Sequence, residues 1–375
     1  MTGSMYAAIA GLQTHMQKMN VIGNNIANAN TYGFKPGVTT FTESMYTSIK
    51  NSTAGGDTTG GTNAAQIGYG SQLSTIDVSM SAGTPAPTNV NSNLYLNGSG
   101  FFLVGPKPQV QTDPNTGDPI GEAYQPDPNQ LTLKRVGNFT LDKDGYLVDP
   151  AGNCVYGFMP LAAGDAQNPP DAAGPATDAD NKEINWDTFL RPIRLPVADE
   201  DGKAVYPTNT VNNGVPDYGY TPDGGNALDE ENLVKVNSIN LSIDKNGVIM
   251  AVTNNEETIT IGAIALANVR NPNGLTKIGE GYYRPGGNSG DVTVGVAGGV
   301  LGDRYLNGAA AGAAGAQAID SGAGTEILAN YLESSKTDVS TEFADLITTQ
   351  RGFQANTKII TVTDEMLSEL VNMKR

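Results

Sequence analysis

The chain is poor in the side chains from which most catalytic and metal sites are built. Its 375 residues include one cysteine, Cys154, and one histidine, His15, which fall in different predicted regions. A disulfide within the chain is therefore excluded, and a zinc site or a catalytic site built on Cys/His or Ser/His/Asp is not expected. The sequence predicts neither an enzyme nor a bound cofactor.

Basic residues and long apolar runs are also scarce. Lys and Arg number 22 against 39 Asp and Glu, which gives a net charge of −17. A chain of this charge repels nucleic acid and anionic membranes, so neither is an expected partner. No run of about 18 apolar residues occurs, so membrane insertion is not expected. The first residues lack the basic and then apolar order of a secretory signal, which predicts a cytosolic protein or one exported without signal cleavage.

Glycine and proline are abundant, with 46 and 21 residues respectively. This favours a body rich in β-structure with long connections, which we place at 91–161 with 233–305. Two similar segments, "LDKDGYLV" and "IDKNGVIM", each contain a strong hairpin signal, Asp144-Gly145 and Asn246-Gly247. A calcium loop at the first is not favoured, because a third ligand before the glycine and a later glutamate are missing.

Both ends of the chain have the apolar spacing of helices, with steps of four and three residues. The N-terminal stripe consists of Met5, Ile9, Leu12, Met16, Met19, Gly23 and Ile26, in a helix predicted from residue 4 to about 30. The C-terminal stripe consists of Val339, Phe343, Leu346, Gln350, Phe353, Thr357, Ile360, Asp364, Leu367 and Val371. Ser335 with Asp338 resembles a capping box at the start of the second helix.

The predicted fold class is α+β, a mainly β outer body with terminal helices that pair like a coiled coil. The predicted helical domain is 1–45 with 330–375, followed inward by linkers at 46–90 and 306–329 that are rich in Gly, Ser, Thr and Ala. Residues 162–232 are predicted to form an insertion or a small outer subdomain. Further apolar residues lie beside the main stripes, and a single helix pair cannot cover them. We therefore expect the protein to polymerise through its ends, since further copies would cover that surface.

Cys154, in "DPAGNCVYGF", allows two interpretations. It is either a small apolar residue at the end of a strand or a thiol that reacts with a neighbouring subunit. A β-rich adhesin or carbohydrate-binding protein is an alternative for the whole chain, suggested by the β body and its polar loops. That alternative leaves the paired terminal helices unexplained.

Five segments follow one another along the chain: "VIGNNIANANTYGFK", "LYLNGSGFFLV", "LKRVGNFTLDKDGYLVDPAGNCVYGF", "IALANVRNPNGLTKIGEGYYRP" and "LITTQRGFQANTKIITVTDEMLSELVNMKR". In this order they resemble the bacterial flagellar rod and hook proteins. The matching positions include Asn24, Asn25, Ile26, Asn28, Gly33, Phe34, Gly98, Phe101, Arg135, Gly137, Phe139, Gln350, Arg351, Phe353 and Asn356. Each match alone is weak, but together they span nearly the whole chain and are specific for this axial family. Residues 105–130 and 162–232 do not align.

The resemblance implies a helical homopolymer whose terminal helices form an inner tube around an export channel. The implied partners are further copies of the chain, rod proteins, the hook cap and hook-filament junction proteins, and the flagellar type III export apparatus. The implied location is the extracellular hook or basal body of the flagellum. The length, together with the segment "GGTNAAQIGYGSQLSTIDVSMSAG", resembles the hook proteins more than the alternative, the distal rod proteins.

The resemblance and the stripes together predict a set of residues at the interfaces between subunits: Leu12, Met16, Met19, Asn24, Asn25, Ile26, Asn28, Thr31, Gly33, Phe34, Phe343, Leu346, Gln350, Phe353, Asn356, Ile360 and Leu367. The asparagines are expected to bond neighbouring subunits through neutral amides. Some relatives carry a lysinoalanine link between subunits, which here implies a cross-link of Cys154 with Lys134 or Lys143.

Overall fold

The computed structural model describes residues 2–56, 60–107, 130–143, 145–158, 176–177, 183–184, 190–195, 197–198, 234–235, 241–252, 256, 258–297, 304–305 and 325–373. The chain divides into two compact units. Unit 1 comprises Met1–Ser81 with Ser335–Arg375, and unit 2 comprises Ala82–Ser334.

Unit 1 consists of two helices and two antiparallel ribbons. The helices are α1 (Thr2–Ala27) and α2 (Val339–Met373). The strands are β1 (Gly37–Glu43), β2 (Tyr46–Lys50), β3 (Ala65–Gly68) and β4 (Ser71–Val78), which pair as β1–β4 and β2–β3. The predicted α+β class and the predicted pairing of the terminal helices are confirmed.

The β1–β4 ribbon covers one side of α1. Gly70 has φ +102°, and a Cβ on it would lie 3.0 Å from the Cβ of Ala10. The hydroxyls of Thr14 and Ser71 are 3.2 Å apart, and the Cβ position of Gly37 is 3.3 Å from a methyl of Val21. Small residues therefore allow the ribbon to lie directly on the helix.

Both helix ends differ from the sequence prediction. Helix α1 ends at Ala27 rather than at about residue 30, and Gly33 adopts a left-handed φ of 67° in the turn that follows. Helix α2 begins at Val339 with Asp338 as its cap. The Asp338 carboxylate accepts hydrogen bonds from the Ser340 amide and the Thr341 hydroxyl, so the capping box predicted to start at Ser335 is wrong.

Unit 2 is built from short strands. They are β5 (Pro85–Pro87), β6 (Asn93–Asn97), β7 (Phe101–Gly105), β8 (Thr132–Lys134), β9 (Gly137–Asn138), β10 (Thr140–Leu141), β11 (Leu147–Val148), β12 (Cys154–Phe158), β13 (Ala176–Thr177), β14 (Glu183–Ile184), β15 (Arg191–Pro192), β16 (Val197–Ala198), β17 (Val234–Lys235), β18 (Ser242–Ile243), β19 (Val248–Val252), β20 (Thr258–Ile264), β21 (Leu266–Val269), β22 (Thr276–Gly279), β23 (Tyr282–Arg284), β24 (Val292–Gly295), β25 (Arg304–Tyr305), β26 (Glu326–Ala329) and β27 (Tyr331–Glu333). A 3-10 turn spans Pro272–Gly274.

Within the described residues, fourteen of these strands form one sheet, with β18-β19-β20-β12-β7-β21-β24-β25 as its central order. A three-stranded sheet β26-β6-β9 and the pair β5–β27 complete the part of unit 2 where the chain enters and leaves. The core is made of buried aliphatic and aromatic side chains, among them Leu96, Phe102, Phe139, Val155 and Ile264. Burial of this apolar surface is the main stabilisation of the unit.

Both predicted hairpins are confirmed by strand pairing. Strands β10 and β11 pair across Gly145, which has φ 80°, although Asp144 itself lies outside the described residues. Strands β18 and β19 pair across Gly247, which has φ 77°. Positive φ angles of this kind favour glycine.

The domain boundaries predicted from the sequence differ from the two units. Residues 46–90 were assigned to a linker, but they contain β2, β3, β4 and β5. The first three of these strands fall in unit 1, which therefore extends to Ser81 rather than ending at residue 45. Most of 162–232 and of 306–329 lies outside the described residues, so those assignments stay predictions, although β26 (Glu326–Ala329) falls at the end of the second range.

Candidate assembly interface on the terminal helices

The two helices of unit 1 pack antiparallel in a constant register. The Cβ position of Gly11 is 2.6 Å from the amide nitrogen of Asn356, and that of Gly352 is 2.7 Å from the His15 ring. Farther along, Asn25 bonds Glu342. Each of these three pairs has residue numbers that sum to 367, so the helices keep one alignment over most of α1.

The seam between the helices lies one residue away from the predicted N-terminal stripe. The α1 residues that are covered or half-covered at steps of three and four are Ala8, Gly11, His15, Lys18, Ile22 and Asn25. Each precedes a member of the predicted stripe, which is therefore turned by about 100° from the contact with α2. The prediction that the apolar stripe itself forms the helix pair is wrong for α1.

The seam of α2 agrees in part with its predicted stripe. The covered or half-covered residues on one face are Glu342, Leu346, Thr349, Phe353, Asn356, Ile360 and Thr363. The apolar members Leu346, Phe353 and Ile360 belong to the predicted stripe. Asn356 lies outside that stripe but is a predicted interface residue, whereas Glu342, Thr349 and Thr363 were not predicted. The glycines opposite His15 and Asn356 allow these larger side chains to fit into the seam.

Asn25 joins three segments of unit 1. Its amide nitrogen donates to the carbonyl of Gly37 and to the carboxylate of Glu342, both at 2.9 Å. Its amide oxygen accepts from the backbone N–H of Gly37 at 3.0 Å. The side chain is 2% exposed, and these three hydrogen bonds lie within one subunit; a contact of Asn25 with a neighbouring subunit stays a prediction.

The other asparagines of the motif have different surroundings. The Asn28 amide donates to the backbone carbonyl of Asn24 at 2.9 Å, and the Thr31 hydroxyl donates to the Asn28 side chain at 3.2 Å. These bonds satisfy groups at the end of α1. The Asn24 side chain is exposed, so its contact with a neighbouring subunit stays a prediction.

The outer face of α1 is apolar near the N-terminus. Tyr6, Ile9 and Met16 are exposed on the side of α1 that faces away from α2. A groove of about 430 Å³ runs beside them, lined by Tyr6, Ile9, Ala10, Gln13, Met45 and Tyr69. None of these six side chains is charged, so the groove is suited to an apolar occupant. We call this surface the α1 groove.

Helix α2 presents a second uncovered apolar face in its last four turns. Ile359, Val362, Met366, Leu370 and Met373 recur at steps of three and four, and all are exposed. This set, named here the α2 stripe, lies about a third of a turn away from the seam. Leu367 and Val371 continue the seam itself beyond the start of α1 and are exposed for that reason.

The structure divides the predicted interface residues into three groups. Exposed are Met16, Asn24, Thr31, Phe343, Gln350 and Leu367. Half-buried are Leu12, Met19, Ile26, Asn28, Phe34, Leu346, Phe353, Asn356 and Ile360. Buried are Asn25 and Gly33.

Cys154 is fully buried at the start of β12, and burial raises the pKa of its thiol to about 12. A protonated, enclosed thiol is a poor nucleophile and is not available to a second subunit. Lys134 is also buried, whereas Lys143 is exposed. The cross-link of Cys154 with either lysine stays a prediction, and in this fold it requires β12 to open.

Lys134 belongs to a buried cluster that the sequence analysis did not identify. Its ammonium lies 3.1 Å from the Asp149 carboxylate, which also accepts a hydrogen bond from the Tyr282 hydroxyl. The backbone N–H groups of Ala151 and Asn153 bond the other carboxylate oxygen. Every oxygen of Asp149 thus has partners, which is how a buried charge is tolerated.

A second buried ion pair ties the ends of unit 2 together. Arg135 bonds Glu333 at 2.9 Å, and Glu333 accepts from the backbone N–H of Gly83 at 2.6 Å. Arg135 also donates to the carbonyls of Leu96, Gly98 and Gly100. The arginine of the Arg-x-Gly-x-Phe motif therefore holds the turn between β6 and β7 and the exit strand β27.

Among the described residues, no group of three or more His, Cys, Asp and Glu side chains could hold a metal ion. Neither described helix is both long and apolar enough to cross a membrane.

In comparison with known proteins, both ends of the chain match family models. Residues 5–35 match a family model described as "Flagella basal body rod protein". Residues 328–373 match one described as "Flagellar basal body rod FlgEFG protein C-terminal". The two matches contain α1 and α2 almost completely.

Relatives also match over the full length. The flagellar basal-body rod protein FlgG of Bacillus subtilis is 32% identical over 375 residues, with 100% of each chain covered. The flagellar hook protein FlgE of Borreliella burgdorferi is 27% identical over 487 residues, again with 100% of each chain covered. The crystal structure of Helicobacter pylori flagellar hook protein FlgE2 has a TM-score of 0.30 and 12% identity, covering 66% of this chain and 100% of that one.

The named relatives are axial proteins of the flagellum. A pair of terminal helices with uncovered apolar faces, joined to a β body, fits that class of protein. The chain belongs to the flagellar hook and rod protein family.

Proposed function

We propose that the protein is the structural subunit of a bacterial flagellar hook. In this role it polymerises with further copies of itself into a bent tube that carries torque from the rod to the filament and encloses the export channel. The observation that carries the proposal is the combination of family membership with the α1 groove and the α2 stripe. A monomer that exposes two apolar helix faces gains by burying them against other copies.

The role requires no chemistry, so we propose a structural rather than an enzymatic protein. Its specific partners would be the rod below it, the cap during growth, the junction proteins above it and the type III export apparatus. Its location would be the extracellular part of the axial structure, reached without cleavage of a signal peptide. The chain's single buried cysteine suits export through a channel, because no internal disulfide can form.

A distal rod protein is the second candidate. The observation that favours it is the 32% identity over 375 residues to a protein named as the rod protein FlgG. Against this, the alignment with the protein named as hook protein FlgE of Borreliella burgdorferi also covers both chains completely.

Deletion of the gene in its own bacterium, followed by electron microscopy of isolated basal bodies, separates the two candidates. Complete rods without hooks are expected for a hook subunit. Basal bodies with truncated rods would instead identify a rod subunit. Intact hooks and rods in the deletion strain would overturn both, and complementation with the wild-type gene controls for effects on neighbouring genes.

A further inference from the structure

We propose that Gly83, Tyr95, Arg135 and Glu333 form a mechanical clasp, which keeps the entry and exit strands of unit 2 together when force acts on the chain between the two units. The inference rests on the proposed function, because a subunit that carries torque transmits force from one unit to the other. It assigns to these four residues a resistance to force in one direction, beyond their contribution to folding stability.

The covalent chain passes between the two units twice. It enters unit 2 at Ala82 and leaves it at Ser334. Just inside unit 2, the entry strand β5 and the exit strand β27 run antiparallel, with Pro85 opposite Glu333. Force that draws the two crossing points apart therefore acts at one end of this strand pair. It loads the pairings one after another rather than all together, and a pair loaded in this way opens at low force.

The backbone of β5 contributes little resistance to such opening. Pro85 and Pro87 have no N–H, so two of the three residues of β5 cannot donate a hydrogen bond to β27. A backbone hydrogen bond of 2.9 Å joins Ser334 to Thr84 just outside the pair. The strands that receive the force thus have a weak hydrogen-bond ladder, and side chains have to supply the rest of the connection.

Two side chains hold the entry segment at Gly83, two residues before β5. The N–H of Gly83 donates to the Glu333 carboxylate at 2.6 Å, and its carbonyl accepts from the Tyr95 hydroxyl at 2.9 Å. Residue 83 also has to be glycine, because a Cβ there would lie 2.2 Å from the carbonyl oxygen of Ser334. The entry segment is thereby joined to β27 through Glu333 and to β6 through Tyr95.

Arg135 connects Glu333 to the sheets of unit 2. Its Nε donates to the other carboxylate oxygen of Glu333 at 2.9 Å. Its remaining nitrogens donate to the carbonyls of Leu96, Gly98 and Gly100. These carbonyls belong to β6 and to the turn into β7, a strand in the central order of the fourteen-stranded sheet.

The clasp is enclosed as well as charged. Tyr95 and Arg135 are each 4% exposed and Glu333 is 2% exposed, so water has little access to these bonds before the strands separate. Hydrogen bonds between ionised groups are the stronger kind. Force on the exit strand therefore passes through several strong bonds into the sheet, at the point where the backbone ladder is weakest.

Force spectroscopy of the full-length chain tests the clasp. Because unit 2 is inserted between the two halves of unit 1, force on the ends of the chain reaches unit 2 at Ala82 and Ser334 once unit 1 has opened. Unfolding of unit 2 is then recognised by the release of about 90 nm of chain. A second pair of handles, attached through Lys143→Cys and Asn288→Cys at exposed positions, pulls unit 2 in another direction. The native Cys154 is enclosed and does not take a handle.

The measured quantity is the lifetime of folded unit 2 at constant force. Glu333→Gln removes the charge that binds Arg135, and Val155→Ala, in the core on β12, is the control for general destabilisation. We expect Glu333→Gln to shorten the lifetime at least about tenfold more with handles at the chain ends than with handles at 143 and 288. The size follows from the hydrogen bonds to a charged group that are lost. Val155→Ala should shorten the lifetime similarly in both directions.

Equal shortening by Glu333→Gln in both directions would overturn the inference, because the four residues would then only stabilise the fold. If Glu333→Gln does not fold, the same comparison is made with Tyr95→Phe, which removes one hydroxyl at Gly83 and leaves no buried charge without its partner. Equal shortening by that variant would overturn the inference in the same way. The measurement needs no polymer, so its failure leaves the proposed function standing, whereas intact hooks and rods in the deletion strain would refute the function without changing the measured lifetimes.

Discussion

The side-chain amide of Asn25 donates a 2.9 Å hydrogen bond to the carboxylate of Glu342, which lies 317 positions away in the sequence. The same amide makes two hydrogen bonds to the backbone of Gly37. One side chain thus connects α1, α2 and the first ribbon of unit 1.

Replacement of Asn25 by alanine is expected to lower the free energy of unfolding of unit 1 by about 2 kcal/mol, because buried partners lose their hydrogen bonds. Denaturant unfolding followed by circular dichroism measures this. Asn24→Ala, on the exposed side of the same helix turn, is the control and should leave folding within about 0.5 kcal/mol of wild type. Loss of assembly in Asn24→Ala without loss of stability would support its predicted role between subunits, whereas equal destabilisation by both variants would contradict this account of Asn25.

Glu342 predicts a pH dependence for the helix pair. Burial raises the pKa of Glu342 above its usual 4.5, although the Asn25 hydrogen bond opposes the shift. Because the folded state then holds the proton more tightly than the unfolded state, this residue's contribution to stability falls as the pH rises from about 4.5 through the folded pKa. Glu342→Gln removes this dependence and keeps an acceptor for Asn25.

Between pH 4 and pH 7, the free energy of unfolding of Glu342→Gln should therefore fall less steeply with rising pH, or rise more steeply, than that of wild type. Glu365→Gln, at an exposed position of α2, is the control and should follow the wild-type curve. A Glu342→Gln curve parallel to wild type would show that the carboxyl does not titrate differently on folding.

Alanine substitution at three helix glycines is expected to change the free energy of unfolding in different directions, depending on the space beside each glycine. A Cβ on Gly352 would lie 2.7 Å from the ring of His15, whose centroid is 6.4 Å from that of the Phe41 ring. Gly352→Ala should therefore lower the free energy of unfolding by about 1–3 kcal/mol through overpacking. Gly23 has no atom within 4 Å of its Cβ position, so Gly23→Ala should raise that free energy by about 1 kcal/mol through helix propensity.

Thermal unfolding of the two variants side by side measures the contrast. Gly11→Ala should fall between them, because the atom it meets is the end of the Asn356 side chain, which can rotate away. Stabilisation by Gly352→Ala would mean that the seam at His15 is looser than described here.

Removal of one partner of the Lys134–Asp149 ion pair is expected to lower the free energy of unfolding strongly. Both side chains are almost completely buried and 3.1 Å apart, so Lys134→Met should cost about 3–5 kcal/mol by leaving a buried carboxylate without its cation. The double variant Lys134→Met with Asp149→Asn should recover part of that loss. A double-mutant cycle by chemical denaturation measures the coupling, and additive effects of the two changes would contradict it.

Asp149 also predicts that unit 2 loses stability at acid pH. Burial opposes ionisation of Asp149, but hydrogen bonds from Tyr282 and the charge of Lys134 hold its pKa below the usual 3.8. A depressed pKa contributes stability that is complete above pH 3.8 and is lost as the pH falls through the folded value. Asp149→Asn should therefore flatten the acid limb of the stability curve.

Cys154 is expected to resist alkylation in the folded protein at neutral pH, because the thiol is enclosed and its pKa is raised to about 12. Iodoacetamide labelling followed by mass spectrometry should show modification only after denaturation. Rapid labelling of the native chain would contradict the buried position. In denatured polymer, full alkylation of Cys154 would rule out the cross-link with Lys134 or Lys143, and a dimer mass resistant to boiling would support it.

Several elements of this fold could be predicted because their signals are local. The helices at both ends follow from apolar residues at steps of three and four. The hairpins at Gly145 and Gly247 follow from turn residues that accept positive φ. The paired ion clusters in unit 2 could not be predicted, since Asp149 meets Tyr282 only through a pairing of distant strands.

The sequence by itself determined that α1 and α2 form, that they lie at the two ends of the chain, and that the family is that of the flagellar hook and rod proteins. Only the tertiary structure decided which faces of the helices meet. A periodic pattern fixes faces on one helix but says nothing of its partner, and here small residues at Gly11 and Gly352 let a polar seam approach more closely than the apolar stripe beside it. The stripe of α1 and the end of α2 thereby remain uncovered. Because the seam lies on the face of α1 that contains Asn25, this side chain is buried between the segments of unit 1, whereas the side chain of Asn24 is exposed.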